Sequence, residues 1–190
     1  MTGRSRVDEA EVRTELEKHH RESYGWALAC CQRNQADAEN ILQTAYLKVL
    51  DGRARFDGRS AFKTWFFSVI RRTAIDHRRR EVLGRLRLVK HEQSQARITG
   101  GFEEAVYRSE VQTLFREALA ELPRRQQEVL QLVFYHDVSL AEAAKVMAVS
   151  IGSARTHYER GKKRLRRAMT KLGAYNESGL GRKGNQATIP

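Results

Sequence analysis

Apolar residues recur along this chain at the three- and four-residue spacing of helices, and strand-like alternation is not sustained anywhere. Leu16, His20, Tyr24, Ala27, Leu28 and Cys31 form one stripe, and Gln32 to Gln35 breaks it. Ala38, Ile41, Leu42, Ala45, Tyr46 and Val49 form a second, with Asp37, Glu39, Asn40, Gln43 and Thr44 on its opposite face. A charged, glycine-containing loop follows from Asp51 to Arg59. Ser60 is expected to cap a third helix, which buries Phe62, Trp65, Phe66, Val69, Ile70, Thr73 and Ala74.

From Arg87 to Phe102 the sequence is polar, carries Gly100-Gly101 and lacks a stripe, so it reads as a linker. Val111, Leu114, Phe115, Ala118, Leu119 and Leu122 resume helical spacing, and Pro123 suits the first turn of the next helix. Val129, Leu130, Leu132, Val133 and Phe134 supply the core there. His136-Asp137 marks a turn, Ser139 caps a short helix through Met147, and Ala148-Val149-Ser150 turns into a long helix from Ile151 to Leu172. The predicted fold is all-α. It has an N-terminal helical domain (1–86), a flexible linker (87–107), a C-terminal helix-turn-helix domain (108–172) and a disordered tail (173–190).

Composition narrows the classes. Only two prolines occur, and turn signals are too sparse for an all-β fold. The adjacent cysteines, Cys30 and Cys31, read as small apolar helix residues, which excludes a disulfide scaffold or zinc finger. There is no run apolar enough to insert in a membrane and no secretory leader, so a cytoplasmic protein is expected. No phosphate-cradling loop, nucleophile elbow or carboxylate cluster points to an enzyme, and no cofactor or metal set is expected.

The net charge is +12, and its distribution says more than its size. Residues 1–50 hold 7 basic and 8 acidic side chains. Residues 71–90 hold 8 basic and 2 acidic, and residues 151–173 hold 8 basic and 1 acidic. Two separate patches thus carry the positive charge, one in each half, and a polyanion is the natural partner. The second patch lies on the long helix after the tight turn. In a helix-turn-helix, that second helix enters the major groove. Ser153, Arg155, Thr156, Glu159 and Arg160 are the candidate base readers, and Lys163 with its basic neighbours suits phosphates. The turn carries Ala148 where a left-handed backbone favours glycine, at a cost of ~1 kcal/mol.

Three segments, in order, carry a family resemblance. They are Ala38-Glu-Asn-Ile-Leu-Gln-Thr-Ala-Tyr46, then Phe56-Asp-Gly-Arg-Ser-Ala-Phe-Lys-Thr-Trp-Phe67 with Ala74-Ile-Asp-His-Arg-Arg79. The last is Leu119-Ala-Glu-Leu-Pro-Arg-Arg-Gln-Gln-Glu-Val-Leu130 with Ile151-Gly-Ser-Ala-Arg-Thr-His-Tyr-Glu-Arg160. With these, the chain resembles bacterial RNA polymerase sigma factors of the extracytoplasmic-function class. The resemblance implies docking on core RNA polymerase through Glu39, Asn40, Gln43 and Thr44, where Asn40 and Thr44 replace carboxylates usual in the family. It implies reading a −10 promoter element with Phe56, Lys63, Arg71, Arg72, Arg78 and Arg79, Arg72 standing where asparagine is usual. It places the −35 element on the second helix of the helix-turn-helix, and it implies control by an anti-sigma factor. The rivals are a helix-turn-helix regulator that does not dock on polymerase and a generic nucleic-acid-coating protein. Because the two patches are like-charged and the linker is polar, the halves are expected to move independently in the free protein.

Overall fold

The computed structural model describes residues 9–88 and 110–171, and those residues form eight helices without a strand. They are α1 (Glu9–Lys18), α2 (His20–Cys30), α3 (Gln35–Leu50), α4 (Phe62–Leu88), α5 (Glu110–Ala120), α6 (Arg124–Tyr135), α7 (Leu140–Met147) and α8 (Ile151–Lys171). Most of the linker expected over 87–107 and all of the tail expected over 173–190 lie outside the described residues. Arg87 and Leu88 extend α4.

Local chemistry explains most of the boundaries. The first stripe spans two helices, because the backbone leaves helical geometry at His19 (φ −97°, ψ 8°). Asn34 caps α3, its side-chain oxygen accepting from the Asp37 backbone N–H at 3.1 Å. Ser60 does not cap α4. The Ala61 carbonyl accepts the first helical bond, from Trp65 N–H at 3.1 Å, and the Ser60 hydroxyl donates to that same carbonyl. Ser60 therefore stands one residue too early. Pro123 sits just before α6, its carbonyl accepting from Gln126 and Gln127. Ser139 and Glu142 form a reciprocal capping box on α7.

The turn between α7 and α8 holds Ala148 in the left-handed region, at φ 54° and ψ 51°. An alanine there carries a steric cost that glycine avoids. Ala148→Gly is therefore expected to raise stability by about 0.5–1 kcal/mol, part of the relief being offset by the looser unfolded chain. Chemical denaturation measures it, and a loss of stability would contradict the assigned strain.

In the N-terminal unit, Trp26, Ala38, Ile41, Leu42, Ala45, Phe66, Phe67 and Ile70 are buried between α2, α3 and α4. The Trp26 indole N–H donates to the Phe67 carbonyl at 3.0 Å, so its one polar atom is satisfied inside the core. In the C-terminal unit, Val129, Leu130 and Leu132 of α6 meet Ala143, Val146 and Met147 of α7 and Ala154, Leu165 and Met169 of α8.

The two units are docked, contrary to the expectation of independent halves. α4 lies along α7, and α2 touches α6. Three contacts hold the seam. Arg71 of α4 donates through Nε and Nη2 to Glu128 Oε2 of α6, at 3.2 and 3.1 Å, with both side chains buried. Thr64 donates to Glu142 at 3.2 Å. His136 packs edge-on against Trp26 and Phe67, at ring-centre distances of 5.8 and 5.0 Å. At the seam the single Glu128 carboxylate faces Arg71, Arg124 and Arg125 together, so opposite charge from the C-terminal unit meets Arg71 there.

Candidate nucleic-acid interface

α8 is an amphipathic helix with a clear division of labour. Ala154, Gly161, Leu165 and Met169 are buried against the rest of the C-terminal unit. Ser153, Arg155, Thr156, Glu159, Arg160 and Lys163 are all exposed. At 3.6 residues per turn these six fall within an arc of roughly 160°, opposite the buried face. Gly161 permits this seating, since a Cβ there would meet Leu130 Cδ1 at 3.0 Å. Two of the six have local duties. The Ser150 hydroxyl accepts from Ser153 N–H at 3.1 Å and donates to the Ser153 hydroxyl, fixing the start of α8. Thr156 donates to the Gly152 carbonyl. Arg155 and Arg160 stand towards opposite edges of that arc, with Thr156 and Lys163 near its middle. Lys162, beside Lys163, lies 5.0 Å over the Tyr158 ring and is drawn towards Glu159.

The six residues expected to read the −10 element do not converge. Arg72 and Arg79 are exposed on one side of α4. Arg71 is buried in the seam with Glu128, so it is absent from the accessible surface in this arrangement. That corrects the reading of Arg71 as part of an open basic patch. Lys63 ion-pairs with Glu22 at 2.8 Å and sits 5.7 Å over the Phe67 ring. Burial pushes the Glu22 carboxyl upward, but Lys63 and His19 outweigh it and hold the group below its ordinary value. Arg78 reaches the Cys30 carbonyl at 3.5 Å. Phe56 is half-buried, packed on Phe62 and Trp65 at 5.3 and 5.2 Å. Trp65 belongs to this aromatic cluster, between core and surface.

On α3, Glu39, Asn40 and Gln43 are exposed and Thr44 is half-buried. The polar reading of this helix missed two neighbours. Leu47 and Leu50 are 49% and 43% exposed, one and two turns beyond Gln43 on the same side. Two large apolar side chains in water, in line with polar ones, form the kind of mixed surface that a protein partner covers. They are not part of the buried stripe, and that mismatch was the available signal.

The seam residues have shifted chemistry. Burial drives the His136 imidazole down to about 4, with nearby Lys63 adding to the effect, so it is neutral near pH 7. Hydrogen bonds from Ser139 hold the Glu142 carboxyl below its ordinary value, helped by Thr64. The cysteines are unbridged thiols, Cys30 pushed well up by burial and Cys31 raised to about 12. Asp37, distant in sequence from His77 and Glu81, lies together with them between α3 and α4.

Residues 16–82 match sigma-70 region 2, and residues 112–165 match sigma-70 region 4. The chain is 30% identical over 139 residues to RNA polymerase sigma factor SigV of Bacillus subtilis, covering 73% of this chain and 80% of that one. It is 30% identical over 161 residues to the ECF RNA polymerase sigma factor SigX of the same organism, covering 81% of each. Among solved structures, the fold is similar to sigma factor RpoE from Bartonella quintana, crystallised with the anti-sigma factor NepR. The TM-score is 0.67 at 22% identity, over 83% of this chain and 96% of that chain. It is also similar to CnrH in complex with the cytosolic domain of CnrY, with a TM-score of 0.57 at 17% identity, over 90% and 92% of the two chains. The chain belongs to the RNA polymerase sigma factors, in the extracytoplasmic-function (ECF) class. It is a transcription initiation factor whose partners are core RNA polymerase and promoter DNA. Among the described residues, no helix is long and apolar enough to cross a membrane.

Proposed function

We propose that this sigma factor reads its −35 element with the exposed face of α8 and docks on core polymerase through α3. Arg155, Thr156, Glu159 and Arg160 address base edges, and Lys163 addresses phosphate. On α3, Glu39, Asn40, Gln43 and Thr44 meet the polymerase together with Leu47 and Leu50. In the docked arrangement Arg72 and Arg79 of the −10 set are exposed, and Phe56, Lys63 and Arg78 are partly exposed. Arg71, paired with Glu128 of the other unit, joins them once the two halves separate on the polymerase. The functional units are 1–86 and 108–172, joined by 87–107 and followed by the tail 173–190.

Two solved structures of similar fold hold a second protein, an anti-sigma factor in one and the cytosolic domain of CnrY in the other. That supports control of this chain by an anti-sigma factor. The protein acts in the cytoplasm, where its polymerase is, and carries no catalytic activity of its own. A helix-turn-helix regulator that works without polymerase docking is the less favoured reading.

One observation supports the −35 assignment above the others. All six side chains expected to meet that element share one exposed face of α8, opposite its packing face. Arg155→Ala is expected to cost about 1–3 kcal/mol at a single base pair and relax preference there. Lys163→Ala is expected to weaken all sequences alike. Selection from a randomised −35 library separates the two, and an unchanged preference in Arg155→Ala would contradict the register.

A further inference from the structure

We propose that Asp37, His77 and Glu81 form a binding site for a first-row divalent transition metal, of the Zn²⁺ type, bridging α3 and α4. His77 and Glu81 lie four residues apart on α4 and so share one face. Asp37 comes from the first turn of α3, where its backbone N–H is tied to the Asn34 cap. One nitrogen and two oxygen donors from these residues all lie within 4.8 Å of one another, and all three residues are half-buried.

The spacing is open. His77 Nδ1 is 3.8 Å from Glu81 Oε2, too far for a hydrogen bond. Donors around a zinc ion at ~2.0–2.2 Å sit roughly 3.5 Å apart, so small side-chain rotations close the shell. The donor set also selects the ion. An imidazole favours Zn²⁺, Co²⁺, Ni²⁺ and Fe²⁺ over Mg²⁺ and Ca²⁺, which take oxygen alone. Three protein donors leave a fourth position open to water or to another side chain.

The ion fastens the start of α3, next to Glu39 and Asn40, to the middle of α4.

The test uses the full chain and Co²⁺ as a spectroscopic probe. One equivalent is expected to give the visible d–d bands of a bound, low-symmetry ion. Equimolar Zn²⁺ is expected to displace it, and a large excess of Mg²⁺ to leave it in place. His77→Ala and Asp37→Asn are expected to weaken binding roughly tenfold or more, with helical circular dichroism unchanged. His19→Ala is the control, because His19 lies between Glu15 and Glu22 elsewhere on the N-terminal unit, and it is expected to bind as the parent does. Zn²⁺ raising the melting temperature of the parent but not of Asp37→Asn gives a second readout. Three results would overturn the site: no saturable Co²⁺ spectrum, unaltered binding in His77→Ala, or displacement by Mg²⁺ as readily as by Zn²⁺.

Discussion

Glu128→Ala is expected to open the protein at its seam while leaving each helical unit folded. The Glu128 carboxylate receives Arg71 on one oxygen and Arg124 on the other, with Arg125 at 3.7 Å. Removing it leaves the buried Arg71 guanidinium without a counter-charge and beside two more cations. Breaking a buried pair from one side costs about 3–5 kcal/mol. Undocking relieves that cost by returning Arg71 to water, so the docked-to-open equilibrium shifts by more than about a hundredfold. Small-angle scattering should show a larger radius of gyration at unchanged helix content. The paired change Arg71→Met with Glu128→Leu should restore the compact form, since an apolar pair fills the same seam without desolvating charge. An unchanged radius in Glu128→Ala would refute this account of the seam.

Mild acid should loosen the same seam through His136. Its imidazole is held to about 4 while docked and returns towards ~6.5 when exposed. The depressed group keeps its full stabilising effect above ~6.5, and that effect is lost as pH falls towards 4, because the open state binds the proton more readily. The expected loss is about 1 kcal/mol between pH 7 and 5.5, and about 3 kcal/mol by pH 4. The upper part of that window isolates His136, since carboxylates still hold their charge there. Glu22 and Glu142, both held low, add their own losses only at lower pH. His136→Phe keeps an aromatic ring against Trp26 and Phe67, and should dock with little pH dependence from 7 to 5.5. An equal pH slope in that variant would remove His136 from the explanation.

Local patterns were legible in the sequence. The exposed and buried faces of α8 follow from its 3.6-residue period, the cap of α7 from Ser139, and the turn from its position between α7 and α8. The cost flagged at Ala148 is present in the backbone. What the sequence hid is tertiary. Arg71 stands in a basic run and reads as surface, but its partner Glu128 comes 57 residues later, on a helix of the other unit. His136 reads as a turn residue, and only the docking of two cores buries it. The histidines show no ligand spacing along the chain, because Asp37 is brought to His77 and Glu81 by the packing of α3 on α4.

On the proposed reading, the chain directs core polymerase to promoters by joining docking on α3 to DNA reading on α4 and α8. Run-off transcription tests it most directly, with purified core polymerase, the full chain and a library of genomic fragments. Initiation at a defined set of start sites, sharing −10 and −35 elements and seen only when the chain is present, is the predicted result. Duplex binding by the chain with no gain of initiation by the core enzyme would contradict it.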